Sequence, residues 1–185
     1  MKVLKLCAIF LVFTVLLMPS YIVPAAENPD IGKEVIVNGG FEELKDGVPA
    51  GEWYAYHGWE EGFVTLEETK PYEGKYSISI EKEAGTVDLP WYRYLLTDFT
   101  PGALYEASLM ANYNLESGEG GSFMILVESY SGDKPDEGGT YITGKTAKSV
   151  TGNTNEQWVE MRGTVQIPEN AKLVVVYCYL TSPGK

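Results

Sequence analysis

Turn-forming residues divide most of this chain into short segments. From Glu34 onward, runs rich in Val, Ile, Tyr and Thr are interrupted by Gly, Pro, Asn or Asp about every ten residues. This spacing suits short strands, and no stretch sustains the periodicity of a helix. The pattern therefore predicts an all-β sandwich. The expected strands are residues 34–38, 62–67, 76–82, 91–97, 105–113, 122–130, 146–150, 158–166 and 172–180.

The longer predicted strands alternate between two kinds of side chain, which assigns them to opposite faces of a sheet. The expected core faces are Tyr105, Ala107, Leu109, Ala111 and Tyr113; Phe123, Ile125 and Val127; and Val174, Val176, Cys178 and Leu180. The opposite faces carry Met124, Leu126, Glu128 and Tyr130, and Val175, Tyr177, Tyr179 and Thr181. Exposed tyrosines on neighbouring strands indicate a surface used by a ligand or partner. A second core layer under loops is the alternative explanation.

The first residues have the pattern of a secretory signal peptide. Lys2 and Lys5 precede an apolar run over residues 6–18, and a small-residue stretch ends at Ala26. The run is shorter than the roughly 20 residues that cross a bilayer, so we expect cleavage after Ala25 or Ala26 rather than a membrane anchor. The mature protein is then a secreted single domain over residues 27–185.

Charge and cysteine content restrict the partners of the mature chain. The formal net charge is −12, and the predicted signal peptide carries two lysines and no acid, so cleavage makes the charge more negative still. Such a chain repels nucleic acid and anionic lipid, and we expect neither a nucleic-acid nor a membrane partner and a monomeric state. Cys178 would be the single remaining cysteine, which excludes an internal disulfide and predicts a small buried apolar residue.

Several segments, in this order, resemble carbohydrate-binding modules of families four, nine, sixteen and twenty-two. They are residues 37–42 (VNGGFE) followed by Gly58-Trp59, residues 72–78 (YEGKYSI), residues 99–105 (FTPGALY) and residues 158–165 (WVEMRGTV). The resemblance implies a jelly-roll β-sandwich of two antiparallel sheets with a glycan groove on one of them. These modules close with a strand that carries paired aspartates, whereas this sequence ends where that strand would begin. Either the chain is a fragment truncated at its C-terminus or the strand comes from elsewhere, and we expect a fragment, because an unpaired sandwich edge promotes aggregation.

The resemblance also implies a structural calcium ion near the N-terminal strand. Glu42 is the best single ligand by this resemblance, Gly40 contributes its carbonyl, and the turn that contains Glu73 and Lys75 supplies further oxygens. Calcium prefers six to eight such oxygen ligands. The alternative is that Glu42 and Glu73 are ordinary surface acids.

Candidate ligand-binding residues combine aromatic platforms with polar groups. Sugars present C–H faces and hydroxyl edges, which flat rings and hydrogen-bonding side chains recognise. The proposed set is Trp91, Tyr92, Arg93, Glu128, Tyr130, Tyr177, Tyr179 and Thr181. Trp91 is the first candidate, because the family often places a tryptophan platform in this region, and the alternative is a tryptophan that plugs the end of the sandwich. Trp53, Tyr54 and Tyr56 could form a loop platform, whereas Trp59 and Trp158 are expected in the core.

An enzyme is the main alternative, because jelly rolls also host hydrolases and lyases. A hydrolase needs two facing carboxylates, and Glu128 and Glu160 could form such a pair, although neither lies in a recognisable motif. His57 is the only histidine, which excludes zinc sites built from several histidines. We therefore expect a non-catalytic module that binds xylan, β-glucan or mannan and accompanies a secreted glycoside hydrolase. A catalytic jelly roll ranks second, and an adhesion or structural domain third.

Overall fold

The computed structural model describes residues 33–59, 63–115, 122–132, 139–181 and 183–184. The predicted signal peptide, residues 1–26, lies outside this part of the chain. Within the described ranges there is no helix of the length and apolar character needed to cross a bilayer.

All regular structure in the described residues is β-strand, as the turn spacing predicts. The strands are β1 (Leu44–Lys45), β2 (Val48–Pro49), β3 (Trp53–Ala55), β4 (Val64–Glu67), β5 (Ser77–Ile80), β6 (Trp91–Leu96), β7 (Leu104–Ala111), β8 (Phe123–Tyr130), β9 (Tyr141–Val150), β10 (Val159–Gln166) and β11 (Leu173–Leu180). Valine, isoleucine, threonine and aromatic residues dominate these segments, and their branched or flat side chains pack well on a pleated surface.

The strands form two layers of a jelly-roll sandwich. One layer is a five-stranded antiparallel sheet in the order β3-β6-β11-β8-β9. The other layer contains two antiparallel pairs, β4-β5 and β10-β7, and β1-β2 form a separate hairpin. Side chains from both layers meet in one hydrophobic core, which includes Val64, Ile80, Tyr94, Val165 and Val174. Each fully buried aliphatic side chain contributes about 1.5–3 kcal/mol through removal of apolar surface from water.

The faces predicted from alternation are confirmed. Val174 and Cys178 of β11 point into the main core, whereas Val175 and Tyr177 belong to a second cluster on the other side of the same sheet. Cys178 is a free, buried thiol, and burial raises the pKa of this thiol to about 12. It is therefore protonated at neutral pH and behaves as the small apolar residue that the sequence predicts.

The N-terminal region differs from the prediction. No strand forms over residues 34–38, because the chain turns at residues 36–40, where Asn38 has a positive φ of 56°. The Asn38 amide donates hydrogen bonds to the carbonyls of Glu43 (2.8 Å) and Ala50 (3.0 Å), which stabilises the turn in place of a strand. The prediction that Trp53 forms part of a loop platform is also wrong, because its indole is buried in the core.

The two layers come close together where β9 packs against β10. Gly163 lies between Met161 and Val165, both of which are buried, and a Cβ atom added at Gly163 would lie 1.9 Å from the carbonyl oxygen of Ala147 on β9. The absence of a side chain at Gly163 therefore sets the separation of these two strands. Strand β9 starts at Tyr141, earlier than the expected residue 146.

Candidate functional site

The outward face of the five-stranded sheet carries a cluster of aromatic side chains around one arginine. The strand register places Tyr54 of β3 beside Arg93 of β6, Arg93 beside Tyr177 of β11, and Tyr177 beside Leu126 of β8. Paired residues of neighbouring strands share a face, so these four side chains form one row across the sheet. We call this row, together with Trp91 and Tyr179, the aromatic face.

Arg93 is at the centre of the aromatic face. Its Nη1 donates a hydrogen bond to the Tyr177 hydroxyl at 3.2 Å. The guanidinium carbon lies 4.9 Å from the centroid of the Trp91 ring and 5.8 Å from the centroids of Tyr54 and Tyr177. Such cation–π contacts hold the guanidinium plane in one orientation at the sheet surface.

Trp91 packs against neighbouring side chains and remains partly exposed to solvent. Its ring meets Tyr177 edge to face with centroids 5.5 Å apart and meets Tyr56 with centroids 5.8 Å apart. Tyr179 lies beside Trp91 in the strand register and is also partly exposed. The indole is thus an oriented apolar surface rather than a mobile side chain.

Glu128 and Tyr130 of β8 form a hydrogen-bonded pair on the same outward face. The Tyr130 hydroxyl donates to Glu128 Oε2 at 2.6 Å, the short distance expected for a bond to a carboxylate. Burial, and secondly this carboxylate, raise the pKa of Tyr130 well above the ordinary phenol value. The Tyr130 ring also contacts Tyr141 of β9, with centroids 5.8 Å apart. The pair offers a carboxylate and a neutral phenol next to the aromatic face.

The raised pKa predicts how Tyr130 affects stability at alkaline pH. Because the folded-state pKa exceeds the unfolded-state value near 10, the stabilisation is complete below about pH 10 and is lost as the pH rises towards the folded-state pKa. We expect Tyr130→Phe to reduce the slope of unfolding free energy against pH by about 1.4 kcal/mol per unit above pH 10. Urea unfolding at a series of pH values measures this slope.

Glu128→Gln provides the control for this measurement. Burial is the larger cause of the shift in the Tyr130 pKa, so this variant should retain most of the alkaline slope. If the unfolding free energy of Tyr130→Phe and of the parent protein had equal slopes above pH 10, the alkaline slope would not come from Tyr130.

Two of the predicted binding residues lie apart from the aromatic face. Tyr92 is 8% exposed and points into the main core on the opposite side of β6, where its ring packs against Phe41 and Trp53. The structure therefore replaces the expectation that Tyr92 faces the ligand with a core role. Thr181 accepts a hydrogen bond from the Ser122 N–H at 2.8 Å, so its hydroxyl is used at the end of the sheet.

Tyr54 and Tyr141 extend the site beyond the predicted set. Tyr54 is 42% exposed and Tyr141 is 54% exposed, and they stand at the two sides of the sheet, on β3 and β9. Tyr54 follows the buried Trp53 in a short strand. Because neighbouring strand residues point to opposite faces, a core position for Trp53 would have indicated that Tyr54 points outward. No comparable signal identified Tyr141, because β9 was expected to begin later.

The predicted calcium ligands lie on two segments, the N-terminal turn with Glu42 and the bend with Glu73 and Lys75, and Glu42 links the two. The Glu42 carboxylate accepts hydrogen bonds from the Lys75 N–H at 3.0 and 3.1 Å and from the Tyr76 N–H at 3.1 Å. Gly40 and Glu73 are exposed. The Lys75 ammonium donates to the Tyr76 hydroxyl at 2.6 Å. In the described ranges, no three Asp, Glu, His or Cys side chains are grouped closely enough to hold a metal ion.

The carboxylate pair considered for catalysis is not formed. Glu128 belongs to β8 of the five-stranded sheet, whereas Glu160 belongs to β10 of the other layer and contacts the Arg162 guanidinium there. Both side chains point away from the shared core, so they lie on opposite outer faces and cannot flank one glycosidic bond. His57 packs against the Tyr56 ring, with centroids 4.0 Å apart.

A family model described as a carbohydrate binding domain matches residues 33–184. Among solved structures, the C-terminal family 22 carbohydrate binding module of Clostridium thermocellum Xyn10B is 22% identical, with a TM-score of 0.49 over 72% of this chain and 80% of that chain. The CBM22-1 xylan-binding domain of Paenibacillus barcinonensis Xyn10C is 18% identical, with a TM-score of 0.42 over 78% and 88%.

A more distant solved structure has a similar fold. The enzymatically active domain of tailspike protein 4 from bacteriophage CBA120 is 13% identical, with a TM-score of 0.51 over 81% of this chain and 20% of that chain. At this identity the likeness concerns the fold alone. No curated protein sequence matches the chain.

Proposed function

The chain belongs to the family of carbohydrate binding domains, and from this membership we propose that it binds a plant-type polysaccharide on the aromatic face of the five-stranded sheet. The observation that carries the proposal is the Arg93 guanidinium held among Trp91, Tyr54 and Tyr177 at the sheet surface. A flat indole suits the C–H face of a pyranose ring, and the guanidinium suits neighbouring hydroxyl or uronate oxygens.

The aromatic face is organised before the ligand arrives. Tyr177 is 9% exposed, and the contacts of Trp91 and Arg93 fix both side chains against it. Binding therefore costs little side-chain entropy. A polymer that makes only a few contacts per sugar unit can then still bind. Glu128 can accept hydrogen bonds from sugar hydroxyls at the β8 end of the same face.

The binding role is non-catalytic in this proposal. The two carboxylates that could have formed a hydrolytic pair, Glu128 and Glu160, lie in different layers. The signal-peptide pattern and the family membership support a secreted module that accompanies a glycoside hydrolase and keeps it near its substrate.

Native gel electrophoresis through xylan, β-glucan or mannan tests the binding role. We expect one polymer to retard the protein and Trp91→Ala to weaken that retardation roughly tenfold, the effect of losing about 1.4 kcal/mol of stacking. Trp158→Ala is the matched control, because Trp158 is also partly buried but packs against Tyr72 instead of the aromatic face. If no polymer retards the folded protein, the glycan proposal fails and an adhesion or structural role becomes the better explanation.

We also propose that a structural calcium ion binds beside Glu42, as the family resemblance implies. The Glu42 carboxylate and the Gly40 carbonyl would supply oxygens, and the ion would join the N-terminal turn to residues 73–75. We expect the melting temperature to be higher in calcium than in EDTA and this difference to vanish in Glu42→Gln. Equal melting temperatures in calcium and EDTA would leave Glu42 with its hydrogen bonds to Lys75 and Tyr76 as its only role.

A further inference from the structure

Asn38 is followed directly by Gly39, and this is the one Asn-Gly pair in the sequence. Gly39 is exposed to solvent and has no side chain, so its backbone nitrogen has little steric protection. Such a nitrogen can attack the side-chain amide of the asparagine before it. The pair therefore has the local chemistry of a spontaneous deamidation site.

The reaction converts the side-chain amide of Asn38 into a carboxylate. Hydroxide removes the proton of the Gly39 N–H, and the nitrogen then forms a bond to Cγ of Asn38. The bond from Cγ to Nδ2 breaks, and the departing nitrogen takes up a proton from water and leaves as ammonia. A second water molecule opens the resulting cyclic imide at one of its two carbonyl carbons. The product is aspartate or isoaspartate, which adds one negative charge to the chain.

In the folded protein, hydrogen bonds hold both ends of the Asn38 amide. Nδ2 donates to the carbonyl oxygens of Glu43 at 2.8 Å and Ala50 at 3.0 Å, and Oδ1 accepts from the Glu43 N–H at 3.0 Å. Bond formation to the Gly39 nitrogen would move Cγ out of this position and break these contacts together. The nitrogen that must leave is also the one that two carbonyls hold. The amide is therefore protected by its hydrogen bonds, although Gly39 is exposed.

The backbone of Asn38 is held by a second group of contacts. Its φ of 56° places the residue in the left-handed region, and its carbonyl accepts from the Phe41 N–H at 3.0 Å. The indole Nε1 of Trp53 donates to the same carbonyl at 3.2 Å and lies 3.3 Å from the Val37 oxygen. Since Trp53 is buried in the core, this side chain ties the turn at residues 36–40 to the sandwich.

The product of the reaction does not fit the folded turn. A carboxylate at position 38 has no proton to donate, so its oxygens would face the carbonyl oxygens of Glu43 and Ala50, which are also acceptors. Isoaspartate in addition lengthens the main chain by one carbon and displaces the carbonyl that Trp53 contacts. Neither product allows the turn to close as before.

We propose that Asn38 is a deamidation site controlled by the turn at residues 36–40. The asparagine is protected while the turn is closed, it reacts when the turn opens locally, and the product keeps the turn open. The Trp53 indole N–H is the side-chain donor that holds the turn closed. Deamidation at Asn38 is thus a one-way record of local opening in the N-terminal region.

Peptide mapping by mass spectrometry measures the reaction on the full chain. The protein is incubated at about pH 9 in buffer and in urea, and we expect Asn38 to react at least about tenfold faster in urea, because closure of the turn limits the reaction in the folded protein. Trp53→Phe keeps an aromatic ring but loses the indole donor, so it should speed the reaction in buffer roughly threefold or more. Trp158→Phe is the matched control and should leave the rate at Asn38 unchanged, because Trp158 packs against Tyr72 instead.

The effect of the product is tested separately with Asn38→Asp. We expect its melting temperature to be lower than that of the parent protein by roughly 5 °C, through the lost donors and the facing oxygens. Asn155→Asp adds the same charge at an exposed position and should have little effect.

Three outcomes would contradict the proposal. Equal rates at Asn38 in buffer and in urea would show that the folded turn gives no protection, and the parent protein alone decides this point even if Trp53→Phe does not fold. A folded Trp53→Phe variant that reacts no faster than the parent would overturn the role of the indole. If Asn38→Asp melted at the temperature of the parent protein, the reaction product would be compatible with a closed turn.

Discussion

Replacing Gly163 with alanine is expected to lower the free energy of unfolding by about 3 kcal/mol or more, the upper end of overpacking effects. The added Cβ would lie 1.9 Å from the Ala147 oxygen and 2.5 Å from the Ala147 carbonyl carbon. These are backbone atoms of β9, so no side-chain rotation relieves the clash, and the two layers must separate locally. Urea unfolding followed by circular dichroism measures the change.

Gly40→Ala is the matched control for this substitution. Gly40 is exposed, and a Cβ there would meet its nearest atom, Glu42 Cγ, at an ordinary contact distance of 3.7 Å. We expect its effect to stay within about 0.5 kcal/mol. If Gly163→Ala were equally mild, the close crossing of β9 and β10 would be refuted. Because β9 carries Tyr141 at the edge of the candidate site, Gly163→Ala should also weaken polysaccharide binding in any fraction that folds.

Replacing Gly74 with alanine is expected to cost roughly 2–3 kcal/mol, through two separate causes. Gly74 has a φ of +69°, which disfavours any residue with a Cβ atom. That Cβ would also lie 2.3 Å from Glu42 Oε1, which would displace the carboxylate from the Lys75 and Tyr76 N–H groups. The shift in melting temperature reports the combined loss.

A second glycine separates the two causes. Gly47 has a φ of +83° with no atom within 4 Å of the added Cβ, so Gly47→Ala measures the backbone cost alone, about 1 kcal/mol. In a Glu42→Ala background, Gly74→Ala should cost no more than Gly47→Ala does. An unchanged penalty in that background would show that the carboxylate contact contributes nothing to the requirement for glycine.

The candidate site could be partly predicted because strand alternation is a local property. Tyr177 and Tyr179 were assigned to a face opposite Val176 and Cys178 by their positions alone, and the structure confirms that division. The same rule separates Tyr92 from Trp91 and Arg93, and applying it would have removed Tyr92 from the predicted set. The family motifs identified the region of Trp91, but they carry no information on which neighbour of a platform faces inward.

Other parts of the site depend on which strands become neighbours. Tyr54 meets Arg93 only because β3 pairs with β6 at the edge of the sheet, and Tyr141 reaches Tyr130 only through the β8-β9 register. Tyr54 and Arg93 are 39 positions apart in the sequence, Tyr130 and Tyr141 are 11 apart, and no local pattern encodes which strands will pair.

The sequence alone determined the all-β class, the faces of the long strands and the membership of a carbohydrate-binding family, because turn spacing, two-residue periodicity and short motifs are properties of consecutive residues. Only the tertiary structure decided that Arg93 lies among three aromatic rings, that Trp53 is in the core, and that Glu128 and Glu160 lie on opposite faces. The physical reason is that strand order and layer packing minimise exposed apolar surface for the whole chain at once.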